Sequence, residues 1–298
     1  MTENTKARAA VLAGNFFFGT SVIAVKHISP SLIPAIALTA VRIIVTMCLF
    51  WSLYAARPVR MGIVKKDFIR LFLCALAGIT MNQTFSMRGM SLTSPIHASL
   101  LILTTPITIT ILAAWLLKES LNGLKLIGLL LGISGGALLV FSRDLSPQAG
   151  TEQSLGDMFV IMGAISYSVY VVSIKPLMGK YKAMHILQWV FLFGSFASLP
   201  LGWNALWQVS WVSFDGISWF CLAYVVFGAT FFAYQFMNYS ISKLGASITG
   251  SYIYTQPFFA TMASMLILHE PLSLPKVGAA LLIITGVFLT NYKKKVIA

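Results

Sequence analysis

The chain has 298 residues, 58% of them apolar types and 10% charged, with a net charge of +13 and a mean hydropathy of +0.84. Soluble domains carry about 25% charged residues, so this composition excludes an ordinary water-soluble enzyme and makes lipid the expected solvent. The positive charge does not point to nucleic acid: the basic residues sit in short segments between apolar runs, as in membrane proteins whose cytoplasmic loops are basic.

A helix needs about 20 mostly apolar residues to cross a bilayer. In chain order, turn signals and charges predict ten such stretches, at 8–28, 33–55, 68–89, 94–117, 123–141, 157–178, 185–207, 216–240, 245–268 and 275–292. The first has the basic start and apolar centre of a signal peptide. It is too long for one and lacks a small-residue cleavage site, so it is read as the first span. Helical spacing puts Asn15, Gly19 and Lys26 on one stripe of it. The second span carries Arg42 in its interior. Intramembrane charge is costly, which leaves Arg42 two roles: facing a central cavity, or bonding to a neighbouring helix. In a cavity its fork would suit a carboxylate or another anionic group.

The third span offers Asn82 and Gln83, and the eighth Gln235 and Asn238. Amides either join membrane helices or contact substrate, and both readings stay open. In the fourth span His97, Leu101, Thr104 and Thr108 share a face; in the ninth, Thr249, Tyr252, Gln256 and Phe259 do. Each of these two spans also holds a proline near its middle, Pro106 and Pro257. Such a proline removes a backbone hydrogen bond and costs about 3 kcal/mol in water. In lipid, neighbouring groups must satisfy the freed carbonyl. The expected result is a kinked helix, either fixed or flexing beside a substrate pathway. The candidate pathway residues are therefore Arg42, His97, Asn15, Gln83, Thr104, Gln235, Asn238, Tyr252 and Gln256, with Pro106 and Pro257 as kinks.

Gly128, Gly132 and Gly136 in the fifth span allow close helix approach. Packing within the chain, as a monomer, is the expectation, and homodimerisation the alternative. Lys26 and Lys175 lie near span ends and are expected to snorkel to the interface. Trp203, Trp207, Trp211 and Trp219 fit an interfacial belt. Tyr167, Tyr170, Trp189, Tyr234 and Tyr252 lie deeper, mostly as packing. The three cysteines, Cys48, Cys74 and Cys221, show no metal-binding spacing. All eight acids (Glu3, Asp67, Glu119, Asp144, Glu152, Asp157, Asp215 and Glu270) fall in links, tails or span ends. Neither a metal nor a cofactor is expected.

The longest polar link separates a first repeat, 1–141, from a linker, 142–156, and a second repeat, 157–298. "GNFFFGTSVIAVK" (14–26) aligns with "GAISYSVYVVSIK" (163–175) at an offset of 149. "AGIT" (77–80) aligns with "FGAT" (227–230) at 150, and "TTP" with "TQP" at 151. Five spans per half is an odd number, so the second half enters the membrane from the opposite face. Such inverted repeats mark transporters. With both termini inside, sixteen of the 21 Lys and Arg fall in inside segments; four (Lys26, Arg88, Arg143 and Lys276) fall outside, and Arg42 is within a span. That asymmetry predicts cytoplasmic termini.

At these residues the chain resembles EamA-type transporters of the drug/metabolite transporter superfamily. "FGTSVIAVK" (18–26) is similar to their first-helix pattern and "LTAVRIIV" (38–45) to their second-helix arginine element. "SLLILTTPITITILAAWLLKESL" (99–121) and "GSYIYTQPFFATMASMLILHEPL" (250–272) resemble their repeated proline-to-glutamate element. The chain departs at Phe18, where the pattern has tryptophan, and at Phe191, where a second arginine would match Arg42. Small multidrug carriers of the superfamily use a membrane-embedded glutamate, which this chain lacks. The resemblance implies an all-α integral membrane protein of ten helices in two inverted five-helix repeats. It also implies a multi-pass carrier of the inner membrane, often an exporter. Glu119 and Glu270 match the family's glutamates and are expected to cap or pair at helix ends. The expected function is a non-enzymatic secondary transporter exporting a small organic metabolite such as an amino acid by alternating access. An intramembrane lipid-modifying enzyme and a solute channel are the alternatives. The expected partners are a small-molecule substrate and the lipid bilayer.

Overall fold

A computed structural model describes residues 2–29, 31–56, 62–92, 101–141, 153–267 and 274–291. All regular structure among these residues is helical: Glu3–Ile28 (α1), Ala35–Ala56 (α2), Lys65–Ala75 (α3), Asn82–Leu92 (α4), Thr105–Leu117 (α5), Gly123–Phe141 (α6), Gln153–Met178 (α7), Ala183–Trp207 (α8), Gly216–Ala223 (α9), Ala233–Leu244 (α10), Ala246–Ser251 (α11), Thr255–Ile267 (α12) and Leu274–Asn291 (α13). Wider π-helical turns, Leu76–Met81 and Tyr224–Phe232, join α3 to α4 and α9 to α10.

By length and composition six of these segments can cross a membrane: Glu3–Val25, Ala35–Ala56, Lys65–Gly89, Ser154–Met178, Ala183–Trp207 and Gly216–Leu244. Thr105–Leu117, Gly123–Leu138 and Val277–Thr290 are shorter apolar helices. The predicted ninth span is not one rod, because a tight 3₁₀ turn, Tyr252–Tyr254, separates α11 from α12. The predicted fourth span breaks at the corresponding place, with Leu103 and Thr104 in a turn before α5. Both breaks fall just ahead of a proline, whose ring clashes with the carbonyl four residues earlier. Pro106 therefore stands in the first turn of α5, where its missing N–H would have had no helical partner anyway.

The irregularities repeat at the sequence offset. Each π-helical turn holds a glycine, Gly78 and Gly228, 150 residues apart. A Cβ on Gly78 would collide with the Tyr170 ring, and one on Gly228 would reach Phe17 at 2.9 Å. Each glycine thus lets its helix lie against the first helix of the other half.

Packing between the halves follows the same exchange. α2 lies along α8 and α6 along α13; α4 on α7 has its counterpart in α10 on α1, and α5 on α7 in α12 on α1. In the α6–α13 pair a Cβ on Gly128 would meet the Gly286 carbonyl at 2.6 Å, and one on Gly135 the Ala279 carbonyl at 2.8 Å. Partner numbers fall along α13 as they rise along α6, so the two helices run antiparallel. The two contacts exchange under the 151-residue offset. Gly132 packs on Tyr254 and Gly136 on Leu103, so the glycine stripe is covered from within the chain.

Among the described residues the interior comprises three apolar clusters. The largest joins Phe50, Tyr170, Phe191, Phe231 and Tyr234 across both halves. Dispersion and close packing carry such a core, since lipid tails are as apolar as the side chains themselves.

Candidate functional site

One stripe of the eighth predicted span organises the polar interior. Thr230, Tyr234 and Asn238 follow at intervals of four and so lie on one face. All three are buried, and each takes a partner from a different helix. Arg42, from α2, donates through Nε to Thr230 Oγ1 at 2.9 Å. Thr230 in turn donates to the Val225 carbonyl at 2.8 Å, five residues back, within the wider turn. Gln83, from α4, donates through Nε2 to the Tyr234 hydroxyl at 3.3 Å, and that hydroxyl donates to the Gly78 carbonyl at 3.4 Å. Asn238 and Tyr170 of α7 bond reciprocally: Nδ2 donates to the hydroxyl at 3.0 Å, and the hydroxyl donates to Oδ1 at 3.1 Å. Asn238 Nδ2 also reaches the Tyr234 carbonyl at 2.8 Å.

Aromatic rings line this seam. Tyr234 meets Phe191 and Phe18 edge-on, with centroids 5.2 and 6.0 Å apart, and Tyr170 lies 6.0 Å from Tyr167. Arg42 is 8% exposed. Among the described residues its Nε is the one guanidinium nitrogen with a hydrogen-bond partner. The arrangement presents a fixed cation among aromatic faces and hydroxyls, in surroundings where charge interactions are stronger than in water.

A second polar contact ties α1 to the ninth predicted span. Gln256 Nε2 donates to Asn15 Oδ1 at 2.8 Å, and Asn15 Nδ2 donates to the Val11 carbonyl at 2.8 Å. A Cβ on Gly19 would meet the Gln256 carbonyl at 2.5 Å. At the counterpart position in the other half, Ser168 Oγ donates to the Thr105 carbonyl at 3.4 Å.

Of the residues singled out from sequence, Arg42, Gln83 and Asn238 meet on the Thr230–Tyr234–Asn238 stripe, and Asn15 meets Gln256. Tyr252 is buried in the turn between α11 and α12. Thr104 is exposed and bonds to the Leu101 carbonyl at 2.6 Å. Gln235 is half-buried on α10, off the stripe. Pro106 and Pro257 follow the two helix breaks. His97 lies outside the described residues. Lys175, near the end of α7, donates through its ammonium to the Ile241 and Ser242 carbonyls at 2.7 and 2.9 Å. The C-terminal turn of α10 offers it carbonyl oxygens and the negative end of the helix dipole.

Thr230 and the hydrogen-bonding roles of Tyr170 and Tyr234 were missed by sequence reasoning. Thr230 had a signal: it repeats Thr80 at an offset of 150, and Thr80 likewise accepts from a helix of the other half, through Ser198 Oγ at 3.3 Å.

Comparison with known proteins agrees with this architecture. The profile of the EamA-like transporter family matches residues 5–141 and again 154–292. An uncharacterised transporter of Synechocystis sp. is 28% identical over 98% of this chain and 92% of its own. YetK, an uncharacterised transporter of Bacillus subtilis, is 27% identical over 97% and 88%. A chloroplastic WAT1-related protein of Arabidopsis thaliana is 27% identical over 97% of this chain and 70% of its own length. A crystal structure with 19% identity superposes with a TM-score of 0.77 over 95% of this chain and 96% of the other, and so shares its fold.

Proposed function

The chain belongs to the EamA-like transporter family, and from that premise we propose that it is a secondary transporter exporting a small organic metabolite, such as an amino acid, by alternating access. Ten spans, arranged as two inverted repeats, would cross the inner membrane with both termini in the cytoplasm. The relatives' names as transporters support a transport role and agree with a non-enzymatic one.

The observation that carries the substrate class is Arg42. It is a buried cation in an apolar bundle, held at Nε by Thr230 alone among the described residues. A carboxylate would take the remaining fork nitrogens through charge-assisted, bidentate hydrogen bonds. The flanking rings of Phe18, Tyr167 and Tyr234 suit the apolar part of such a solute, and Gln83 its polar part. Two breaks and two wider turns at repeat-related positions support alternating access. They divide helices into halves that can tilt separately, and related packings in the two halves can exchange.

The test is uptake of labelled metabolites into proteoliposomes carrying the protein, against empty vesicles. Arg42→Ala is expected to reduce transport of acid-bearing solutes by at least about tenfold, as befits loss of a hydrogen bond to a charged group, while the protein still purifies folded. Arg42→Lys restores the charge without the fork and should recover only part. Unchanged uptake by well-expressed Arg42→Ala would overturn the assignment, and no uptake of any solute across a broad panel would overturn the export reading.

A further inference from the structure

Away from the polar seam, the ends of α5, α7, α10 and α11 meet in an ionic knot around one turn. Gly245 joins α10 to α11 with φ at +94°, a conformation that side-chain-bearing residues rarely adopt. A Cβ there would meet Glu119 Oε1 at 2.9 Å. The turn presents the first N–H groups of α11 to the Glu119 carboxylate: Ala246 N donates to Oε1 at 3.0 Å and Ser247 N to Oε2 at 3.2 Å. Glu119 follows α5, so an acid of the first half caps a helix of the second, with favourable sign for the helix dipole. Lys125 lies 3.9 Å from Glu119 Oε2 and donates to the Ser120 carbonyl at 3.3 Å.

On the other side of the turn, Lys175 of α7 holds the last carbonyls of α10, at Ile241 and Ser242. One short segment, 241–247, is thus gripped by a carboxylate at one end and an ammonium at the other. Just inward, Ser247 Oγ donates to Thr110 Oγ1 at 3.0 Å, and Gly250 packs on the fully buried Ile109. α10 packs against both α7 and α8. The Glu119 contacts thus tie the first half to the second at this turn.

We infer that Glu119 and Lys175 form a two-point latch on segment 241–247 that holds this mouth of the bundle shut, and that release of both points opens it. The inference takes its meaning in a transport cycle from the function proposed above. Its geometry does not depend on that reading. Both points are hydrogen bonds between a charged side chain and backbone at helix ends: the Glu119 carboxylate accepts from N–H groups and the Lys175 ammonium donates to carbonyls. Water can replace them when the mouth opens, which a sealed apolar contact would not allow. Glu119 and Lys175 act as positioning residues, holding α11 and, through it, Tyr252 and Gln256.

The test reads conformation without a transported solute. In protein whose Cys48, Cys74 and Cys221 are replaced by Ala, Ile109→Cys is exposed in lipid nanodiscs to a small water-soluble maleimide. A second cysteine, Ala37→Cys in α2, reports general loosening. Glu119→Ala is expected to speed modification at 109 by about tenfold, the scale of losing hydrogen bonds to a charged group, with no change at 37. Lys175→Ala should act in the same direction, and Glu119→Gln, which keeps one acceptor, should fall between. Unchanged modification at 109 in both alanine variants, or an equal rise at 37, would overturn the latch. If Glu119→Ala does not fold, Lys175→Ala decides: a rise confined to 109 supports the latch, and no rise refutes it. Site-confined modification without transport of any solute would leave the latch standing while refuting the carrier reading. The reverse result would separate them the other way.

Discussion

At the residue scale, polar groups in this chain are informative because each must find a partner away from water. Asn238 and Tyr170 each donate to and accept from the other, joining α10 to α7. Asn238→Ala would leave the Tyr170 hydroxyl buried and unpaired, a loss of about 1–3 kcal/mol. A lowered thermal unfolding midpoint is expected in detergent. Adding Tyr170→Phe should recover part of it, since removing both partners costs less than orphaning one; a double variant less stable than Asn238→Ala would count against the pairing. Lys175 illustrates the same principle at a span end. Its position suggests a side chain reaching for the interface, and in the structure its ammonium binds the Ile241 and Ser242 carbonyls in the last turn of α10.

At the element scale, the breaks ahead of Pro106 and Pro257 matter more than the prolines as helix defects. Pro106 lies in the first turn of α5, so replacing it removes little strain from α5. Pro106→Ala is expected to change stability by less than about 1 kcal/mol, far below the cost of a proline within a helix. It does let the upstream helix continue through Leu103 and Thr104. We expect turnover to fall with little change in KM, measured as initial transport rates over a substrate series. A stability gain approaching about 3 kcal/mol would place Pro106 instead in a helix interior. The π-helical turns are the second element-level device. They widen the helix where Gly78 and Gly228 admit neighbouring rings, and Thr230 in one of them reaches Arg42.

At the scale of the whole molecule, antiparallel α6 and α13 exchange their contacts under the repeat, as do the α4–α7 and α1–α10 pairs. If ten spans cross with both termini inside, residues 142–152 face the opposite side. Alkaline phosphatase inserted there should be active, and a fluorescent protein fused after Ala298 should fold in the cytoplasm. An inactive phosphatase at that site, in protein that still inserts, would contradict the inverted topology.

The sequence by itself determined the apolar, helical character of the chain, the approximate positions of most of its apolar helices, the duplication and the family resemblance. Each is carried by composition or by spacing along the chain, which a single dimension records. It also singled out Arg42, Gln83, Asn238, Asn15 and Gln256, because polar groups in apolar runs are few. It did not determine their partners. Arg42 meets Thr230 across 188 residues and Gln256 meets Asn15 across 241, and no local pattern reports contacts of that range. Only the tertiary structure decided that Thr230, Tyr234 and Asn238 form one receiving stripe and that Glu119 closes on α11. Helix rotation and the meeting of the two halves fix those contacts, and lipid-driven hydropathy specifies neither.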